Sequence, residues 1–156
     1  MNYQSVTLYN GKPDMMKICI IDGQGGGIGS TIIKKLKENF GESVEIIALG
    51  TNAVATAQML KAGANKGASG ENAIVFTVKS ADLILGPVGI ILANALMGEV
   101  TAKAALAVAE STAKKILLPL SQENIDIVGV SAEPLPHLVD QLIEQHLKPF
   151  ILKSNN

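Results

Sequence analysis

Short, continuous apolar runs alternate along this chain with longer segments in which apolar residues recur every three or four positions. The runs lie at residues 18–21, 44–49, 82–85 and 116–118. Such runs are typical of parallel strands that are covered on both faces, and the segments between them have the spacing of amphipathic helices. This alternation predicts an α/β fold, namely a three-layer α/β/α Rossmann-like sheet, mainly parallel, with the first strand at its centre.

Four further segments complete the predicted architecture. Residues 71–80 have a helix-start signal but strand-forming side chains, so that either element fits. Residues 88–97 and 101–111 are apolar nearly all round, which predicts helices buried on more than one side. Only about six residues separate the fourth apolar run from the one at 125–130, too few for the dozen or more of a parallel crossover. We therefore expect the last strand to be an antiparallel edge strand.

A glycine-rich turn follows the first strand and precedes the first helix, which starts near Ile28. Its glycines are Gly23, Gly25, Gly26, Gly27 and Gly29. A strand, a glycine turn and a helix N-terminus together present unpaired N–H donors and a positive dipole end, which suit an anion. The spacing matches G-x-G-x-x-G with serine at the third place, or G-x-x-x-G-x-G, and GGIG resembles the loop of short-chain dehydrogenases.

We predict that a nucleotide cofactor, NAD or NADP without strong preference, binds at the turns that follow three of the strands. The predicted contacts are Gly23, Gln24, Gly25, Gly26, Gly27, Ile28, Gly29, Ser30, Thr51, Asn52, Gly86 and Pro87. Thr51 and Asn52 could bind the ribose, since the acidic residue expected about 20 residues downstream is missing. The alternative is a structural turn that binds no ligand.

Asp22 ends the first strand and argues against a standard pyrophosphate site. Its carboxylate would repel a phosphate that passes over the turn. It could instead cap its own loop by accepting backbone N–H groups, or be bridged to a phosphate by a cation such as Mg²⁺.

The sequence does not assign a role to several other polar residues. Residues 63–72, GANKGASGEN, are too rich in glycine for a strand and form either a surface connection or a flap over the first loop. Asn94 and Glu99 are candidate ligands or catalysts, although a satisfied polar group and a helix-end residue are the commoner cases. No pattern of paired carboxylates, metal ligands or nucleophile with base identifies a catalytic residue, and no metal site is predicted.

The composition favours one domain, with residues 17–150 forming it and residues 1–16 an N-terminal extension. The chain has 156 residues, 47% of them hydrophobic, and its net charge of −1 argues against nucleic acid as a partner. The single cysteine, Cys19, excludes an intrachain disulfide and fits the cytoplasm. No uninterrupted apolar run reaches the about 20 residues of a membrane span. The apolar helices within 88–111 predict a homodimer.

Five motifs stand out in sequence order: IDGQGGGIG, ALGTNA, KAGANKGASGENAI, ADLILGPVGI and KKILLPL. They resemble those of a small uncharacterised bacterial family, known as a domain of unknown function, over residues 17–147. The resemblance implies a Rossmann-like fold but supplies no activity. Members of that family often carry a Cys-Asn pair after LLPL. Because Glu123 and Asn124 stand there in this chain, a role of that cysteine cannot be transferred to it.

Two classes of function remain open at this point. The first is a nucleotide-binding protein, whose enzymatic form would be a small NAD(P)-dependent oxidoreductase. The tyrosines that such an enzyme could use, Tyr3 and Tyr9, both lie in the extension. The second is a non-catalytic small-molecule sensor or an oligomeric assembly module.

Overall fold

The structure, a computed structural model, describes residues 8–9, 12–13, 15–120 and 123–154. Its strands are β1 (Leu8–Tyr9), β2 (Lys12–Pro13), β3 (Lys17–Asp22), β4 (Glu45–Gly50), β5 (Lys66–Ser69), β6 (Leu83–Pro87) and β7 (Lys114–Leu118). Its α-helices are α1 (Gly27–Phe40), α2 (Ala53–Lys61), α3 (Glu71–Thr77), α4 (Ala102–Glu110), α5 (Leu135–Gln141) and α6 (Lys148–Ser154). There are 3₁₀ turns at Val78–Ser80 and Val88–Ile91, and a π-helical stretch, Leu142–Leu147, joins α5 to α6.

β3 is the central strand of a five-stranded parallel sheet ordered β5-β4-β3-β6-β7. From β3 the chain moves outward through β4 to β5, and it then crosses back to add β6 and β7 on the other side. The order of the strands therefore reverses between β3 and β6. The carboxyl ends of these two strands form the topological switch point, where open α/β sheets bind their ligands. The predicted Rossmann-like sheet with a central first strand is confirmed.

The side chains of β3 alternate between two cores, one on each face of the sheet. Ile18 and Ile20 belong to the core formed with α1, α5 and the π-helical stretch. Cys19 and Ile21 belong to the core formed with α3 and α4. Because both faces of β3 are buried, the strand needs a continuous apolar run rather than an alternating one.

The antiparallel edge strand that we predicted at 125–130 is wrong. The pairs in the five-stranded sheet are all parallel, and β7 lies at its edge. In the described stretch 123–134 there is no strand: the N–H of Val130 donates to the carbonyl of Ile127 at 3.3 Å, and Gly129 has a φ of 89°. Because this turn folds the segment back on itself, its apolar side chains stay outside the sheet, and Val128 is 100% exposed.

Residues 63–72 contain strand β5, so the expectation that they are too rich in glycine for a strand is wrong. β5 pairs in parallel with β4. A Cβ on Gly67 would lie 2.9 Å from the side chain of Thr56 and 3.0 Å from that of Leu60, both on α2. Glycine at this position therefore lets α2 pack closely over the edge strand.

The helix predicted at 88–97 is also wrong, because a 3₁₀ turn and an irregular loop replace it. Asn94, Leu96 and Met97 have left-handed φ angles of 68°, 56° and 57°. The N–H of Asn94 donates to the carbonyl of Val100 at 2.7 Å. This bond closes a compact loop, residues 94–100, which we call the Glu99 loop.

Helices α3 and α4 bear on two further expectations. Residues 71–80, for which the sequence left both a helix and a strand open, form α3 and the 3₁₀ turn that follows it. α4 buries Ala104, Ala105 and Val108 inside the chain and leaves Leu106 56% exposed. A homodimer through residues 88–111 stays a prediction. Most of the predicted extension, residues 1–16, lies outside the described residues; its described parts are the antiparallel pair of β1 with β2 and residues 15–16.

Gly86 offers a test of the close contact between β3 and β6. A Cβ on this residue would collide with the carbonyl of Ile21, so Gly86→Ala should lower the free energy of unfolding by about 1–3 kcal/mol. Urea denaturation measures the change. Gly25→Ala is the matched control, because a Cβ there would meet no atom within 4 Å. Equal stability of the two variants would contradict the described packing.

Candidate functional site

A cleft of about 390 Å³ opens at the carboxyl ends of β3 and β6. One wall is the backbone of residues 22–28, which we call the glycine loop. The other wall is apolar and consists of Pro87, Leu96 and Leu120. The cleft therefore combines backbone N–H groups with an apolar surface, as ligand pockets commonly do, and it lies at the switch point of the sheet.

The glycine loop leaves two backbone positions open. A Cβ on Gly25 or Gly27 would meet no atom within 4 Å, whereas a Cβ on Gly26 would lie 2.8 Å from the carbonyl oxygen of Ala55. Gly26 is the N-cap of α1, with a left-handed φ of 73°, and it supplies no side-chain cap. The first turn of α1 also has no acidic side chain. A small anion can therefore approach the positive end of this helix through Gly25 and Gly27.

Asp22 holds the glycine loop from within. Its side chain is buried; Oδ1 accepts the N–H of Gly23 at 2.8 Å, and Oδ2 accepts the N–H of Gly29 at 2.7 Å. One carboxylate thus joins the start of the loop to the first turn of α1 and satisfies a donor that the helix itself leaves unpaired. The alternative in which Asp22 caps its own loop is confirmed.

Burial raises the pKa of Asp22 above its ordinary value, and hydrogen bonds from the N–H groups of Gly29, Gly23 and Ile28 offset only part of that rise. The negative charge of Glu99 adds to it. The folded protein therefore holds a proton on Asp22 more tightly than the unfolded chain does.

Glu99 brings a second carboxylate to the glycine loop, on the side of β4. Its Oε1 accepts three hydrogen bonds: from the N–H of Gln24 at 3.0 Å, the hydroxyl of Thr51 at 2.8 Å and the amide of Asn52 at 2.5 Å. Burial disfavours the charged form of Glu99, but these three hydrogen bonds outweigh it and lower the pKa of the side chain. An ionised carboxylate therefore bridges the turns that follow β3 and β4.

The chain was compared with known protein families, with curated proteins and with solved structures. The family model described as a domain of unknown function (DUF3842) matches residues 17–151. The chain belongs to this family. A search of the curated proteins finds no match. Among solved structures, the chain is similar to the dodecameric FMN-dependent UbiX-like decarboxylase from Escherichia coli O157:H7, with 17% identity and a TM-score of 0.48. The similarity covers 87% of this chain and 94% of that one.

The prediction of NAD or NADP as the cofactor is wrong. The polar side chains that were expected to bind the ribose already form hydrogen bonds within this chain. Thr51 and Asn52, which we assigned to the ribose, bind Glu99 instead. The neutral hydroxyls of a ribose are weaker acceptors for these donors than the charged carboxylate of Glu99 is.

The structure brings only part of the predicted site together. Seven of the predicted contacts line the cleft: Gly23, Gln24, Gly25, Gly26, Gly27, Ile28 and Pro87. Gly29 packs against Met59 and Asp22, and Gly86 packs against Ile21, so both serve the packing beneath the cleft. Ser30 is a different case, because its buried hydroxyl has no hydrogen-bond partner in the described part of the chain.

Sequence reasoning missed the residues that reach the site from far along the chain. Leu96 and Leu120 line the cleft, and Glu99 was judged to be a helix-end residue rather than a site residue. One signal was available for Glu99, which is the only charged residue between Asp82 and Lys103. A lone carboxylate in an apolar stretch needs hydrogen-bond donors when it is partly buried.

We also considered Cys19 as a nucleophile and clusters of side chains as a metal site, and neither adds a catalytic group to the cleft in the described part of the chain. Burial of Cys19, followed by the charge of Asp82, raises the pKa of its thiol to about 12, so it is a core residue and not a nucleophile. In the described residues no cluster of three or more His, Cys, Asp or Glu could hold a metal ion. None of the helices in that part of the chain is long and apolar enough to cross a membrane.

Asp22→Asn should destabilise the protein, contrary to a simple argument from charge repulsion. Both carboxylate oxygens accept a backbone N–H, so the amide nitrogen of asparagine would face a donor and leave it unpaired. We expect a loss of about 1–3 kcal/mol in the free energy of unfolding, measured by urea denaturation. Asp126→Asn, at an exposed position, is the matched control. An unchanged midpoint for Asp22→Asn would refute the bridging role.

The pKa values of the two carboxylates near the glycine loop should be shifted in opposite directions, that of Asp22 upward and that of Glu99 downward. Asp22 has a raised pKa, so its contribution to stability is present below the ordinary value of 3.8 and is lost as pH rises through the folded pKa. Glu99 has a lowered pKa, so its contribution is present above the ordinary value of 4.5 and is lost as pH falls through the folded pKa. Carbon-13 NMR of the carboxyl groups follows both titrations. Displacement of both pKa values in the same direction would contradict this assignment.

Proposed function

We propose that the protein binds a phosphorylated nucleotide in the cleft between β3 and β6, with its phosphate against residues 25–27. The observation that carries the proposal is the pair of open glycines in that cleft. Gly25 and Gly27 have no atom within 4 Å of a built Cβ, and they flank the N-cap of α1 at the switch point of a parallel sheet. Backbone that is exposed in this way lets an oxyanion come within hydrogen-bond distance of N–H groups.

The electrostatics of the loop support a phosphate rather than a neutral group. The first turn of α1 carries no acidic side chain, so the positive end of the helix dipole is not screened by a neighbour on the helix. Asp22 lies beneath the loop, and both of its oxygens already accept N–H groups.

The apolar wall of the cleft supports a ligand that carries a ring or another flat apolar part beside the phosphate. Pro87, Leu96 and Leu120 face the glycine loop across the cleft. Burying a nucleotide base against such a wall adds a favourable apolar contribution to the phosphate contacts. Among the described residues that line the cleft there is no nucleophile with an adjacent base, so the proposal concerns binding and assigns no reaction.

Substitutions at Gly27 test the position of the phosphate. Gly27 is the first residue of α1, and an added side chain would project into the open space that the phosphate would occupy. Gly27→Ala should weaken binding about tenfold, and Gly27→Val should abolish it at millimolar ligand. Isothermal calorimetry with AMP, GMP, ATP and FMN measures the effect.

The controls separate loss of binding from loss of fold. The free energy of unfolding of both Gly27 variants should stay within about 1 kcal/mol of the wild-type value, because a Cβ at this position meets no atom within 4 Å. If no nucleotide of the panel binds the wild type below about 1 mM, the loop is a structural turn. Undiminished binding by a folded Gly27→Val variant would also exclude a phosphate at residues 25–27.

A further inference from the structure

Glu99 accepts hydrogen bonds from a set of donors that lies beside the proposed phosphate site and includes one residue of the glycine loop. The donors come from three residues in two turns: the backbone of Gln24 and the side chains of Thr51 and Asn52. All three converge on one oxygen atom, Oε1. Convergent donors around a single anionic oxygen are the arrangement that proteins use for carboxylate and phosphate groups.

Contacts other than those with Glu99 hold two of these donors in place. The Oδ1 of Asn52 accepts the N–H of Ala55 at 2.8 Å, and its Nδ2 also donates to the carbonyl of Gln24 at 3.0 Å. The N–H of Thr51 donates to the carbonyl of Asp22 at 3.0 Å. Because the backbone and the helix cap fix these residues, the donor set persists when Glu99 leaves it.

The tip of the loop that supplies Glu99 is strained and exposed, whereas Ala95, Leu96 and Val100 at its base are buried. Leu96, Met97 and Gly98 have consecutive left-handed φ angles of 56°, 57° and 86°. This conformation costs free energy at the two residues that are not glycine. Met97 is 92% exposed, so the outer side of the loop has little packing to resist displacement.

We propose that Gln24, Thr51 and Asn52 form a second anion subsite, and that the Glu99 carboxylate is its internal occupant until an anionic group of the ligand displaces it. The proposal deepens the proposed function and rests on it. Gln24 immediately precedes Gly25, and neighbouring Cα atoms are about 3.8 Å apart, so one ligand can reach both subsites. The ligand class is therefore one with two linked anionic groups, such as a nucleoside diphosphate.

Inorganic phosphate and pyrophosphate are the probes, because they test the anion subsites without knowledge of the base. Wild type and Glu99→Ala are titrated with each anion, and nitrogen-15 NMR follows the N–H groups of residues 23–27 and the side-chain amide of Asn52. Removing the internal competitor should tighten pyrophosphate binding about tenfold or more, because three donors become available to the second phosphate. The affinity for inorganic phosphate, which residues 25–27 would hold, should change less than about twofold.

Two further variants guard against trivial explanations. Glu110→Ala removes the same charge from an exposed position at the end of α4, and it should leave both affinities unchanged. Glu99→Gln keeps a side-chain oxygen for the three donors but removes the charge, so it should tighten pyrophosphate binding by a smaller factor. If Glu99→Ala does not fold, the pyrophosphate affinity of Glu99→Gln is compared with that of the wild type, and an unchanged affinity then refutes the second subsite.

The outcomes separate this inference from the proposed function. Tighter pyrophosphate binding in the Glu99 variants, with the shift centred on Asn52 and Gln24, supports the subsite. If residues 25–27 respond to phosphate but no Glu99 variant changes pyrophosphate affinity, the subsite is refuted and the proposed function stands. If neither anion perturbs the loop in any variant, both are refuted.

Discussion

The carboxylate of Asp22 ties the end of β3 to the first turn of α1, and the shape of the site depends on that pair of hydrogen bonds. The three glycines of the connection would otherwise leave it with many accessible conformations, at a large cost in conformational entropy on folding. The loop is held from beneath, and its packing on Ala55 of α2 is close at Gly26. Its outward backbone is therefore rigid without being covered.

The two sides of the switch point differ in what faces this loop. On the side of β6 the loop faces a cleft with an apolar wall. On the side of β4 the Glu99 carboxylate bridges Gln24, Thr51 and Asn52. Two carboxylates, one beneath the loop and one beside it, surround a backbone whose own partial charge is positive. The open backbone at Gly25 and Gly27 is therefore the part of the loop that the chain itself leaves uncovered.

Local patterns predicted the parts of the fold that local forces determine. The strand β3, the glycine loop and α1 follow one another directly, and each carries its own signal in spacing and composition. β5 and the Glu99 loop could not be found in this way. β5 depends on the absence of a side chain at Gly67 beneath α2, and the Glu99 carboxylate meets its partners 75, 48 and 47 residues away in sequence. Such pairings are decided by topology rather than by neighbouring residues.

The edge strands of the sheet influence whether molecules pair with one another at high concentration. β5 and β7 each begin with lysine, at Lys66 and Lys114, and both side chains are exposed. Stacking the edge of one molecule on that of another would bring these ammonium groups together and strip them of water. Edge lysines are a common protection of natural sheets against aggregation into continuous β-structure. The charge at the start of each edge strand therefore disfavours pairing between the sheet edges of two molecules.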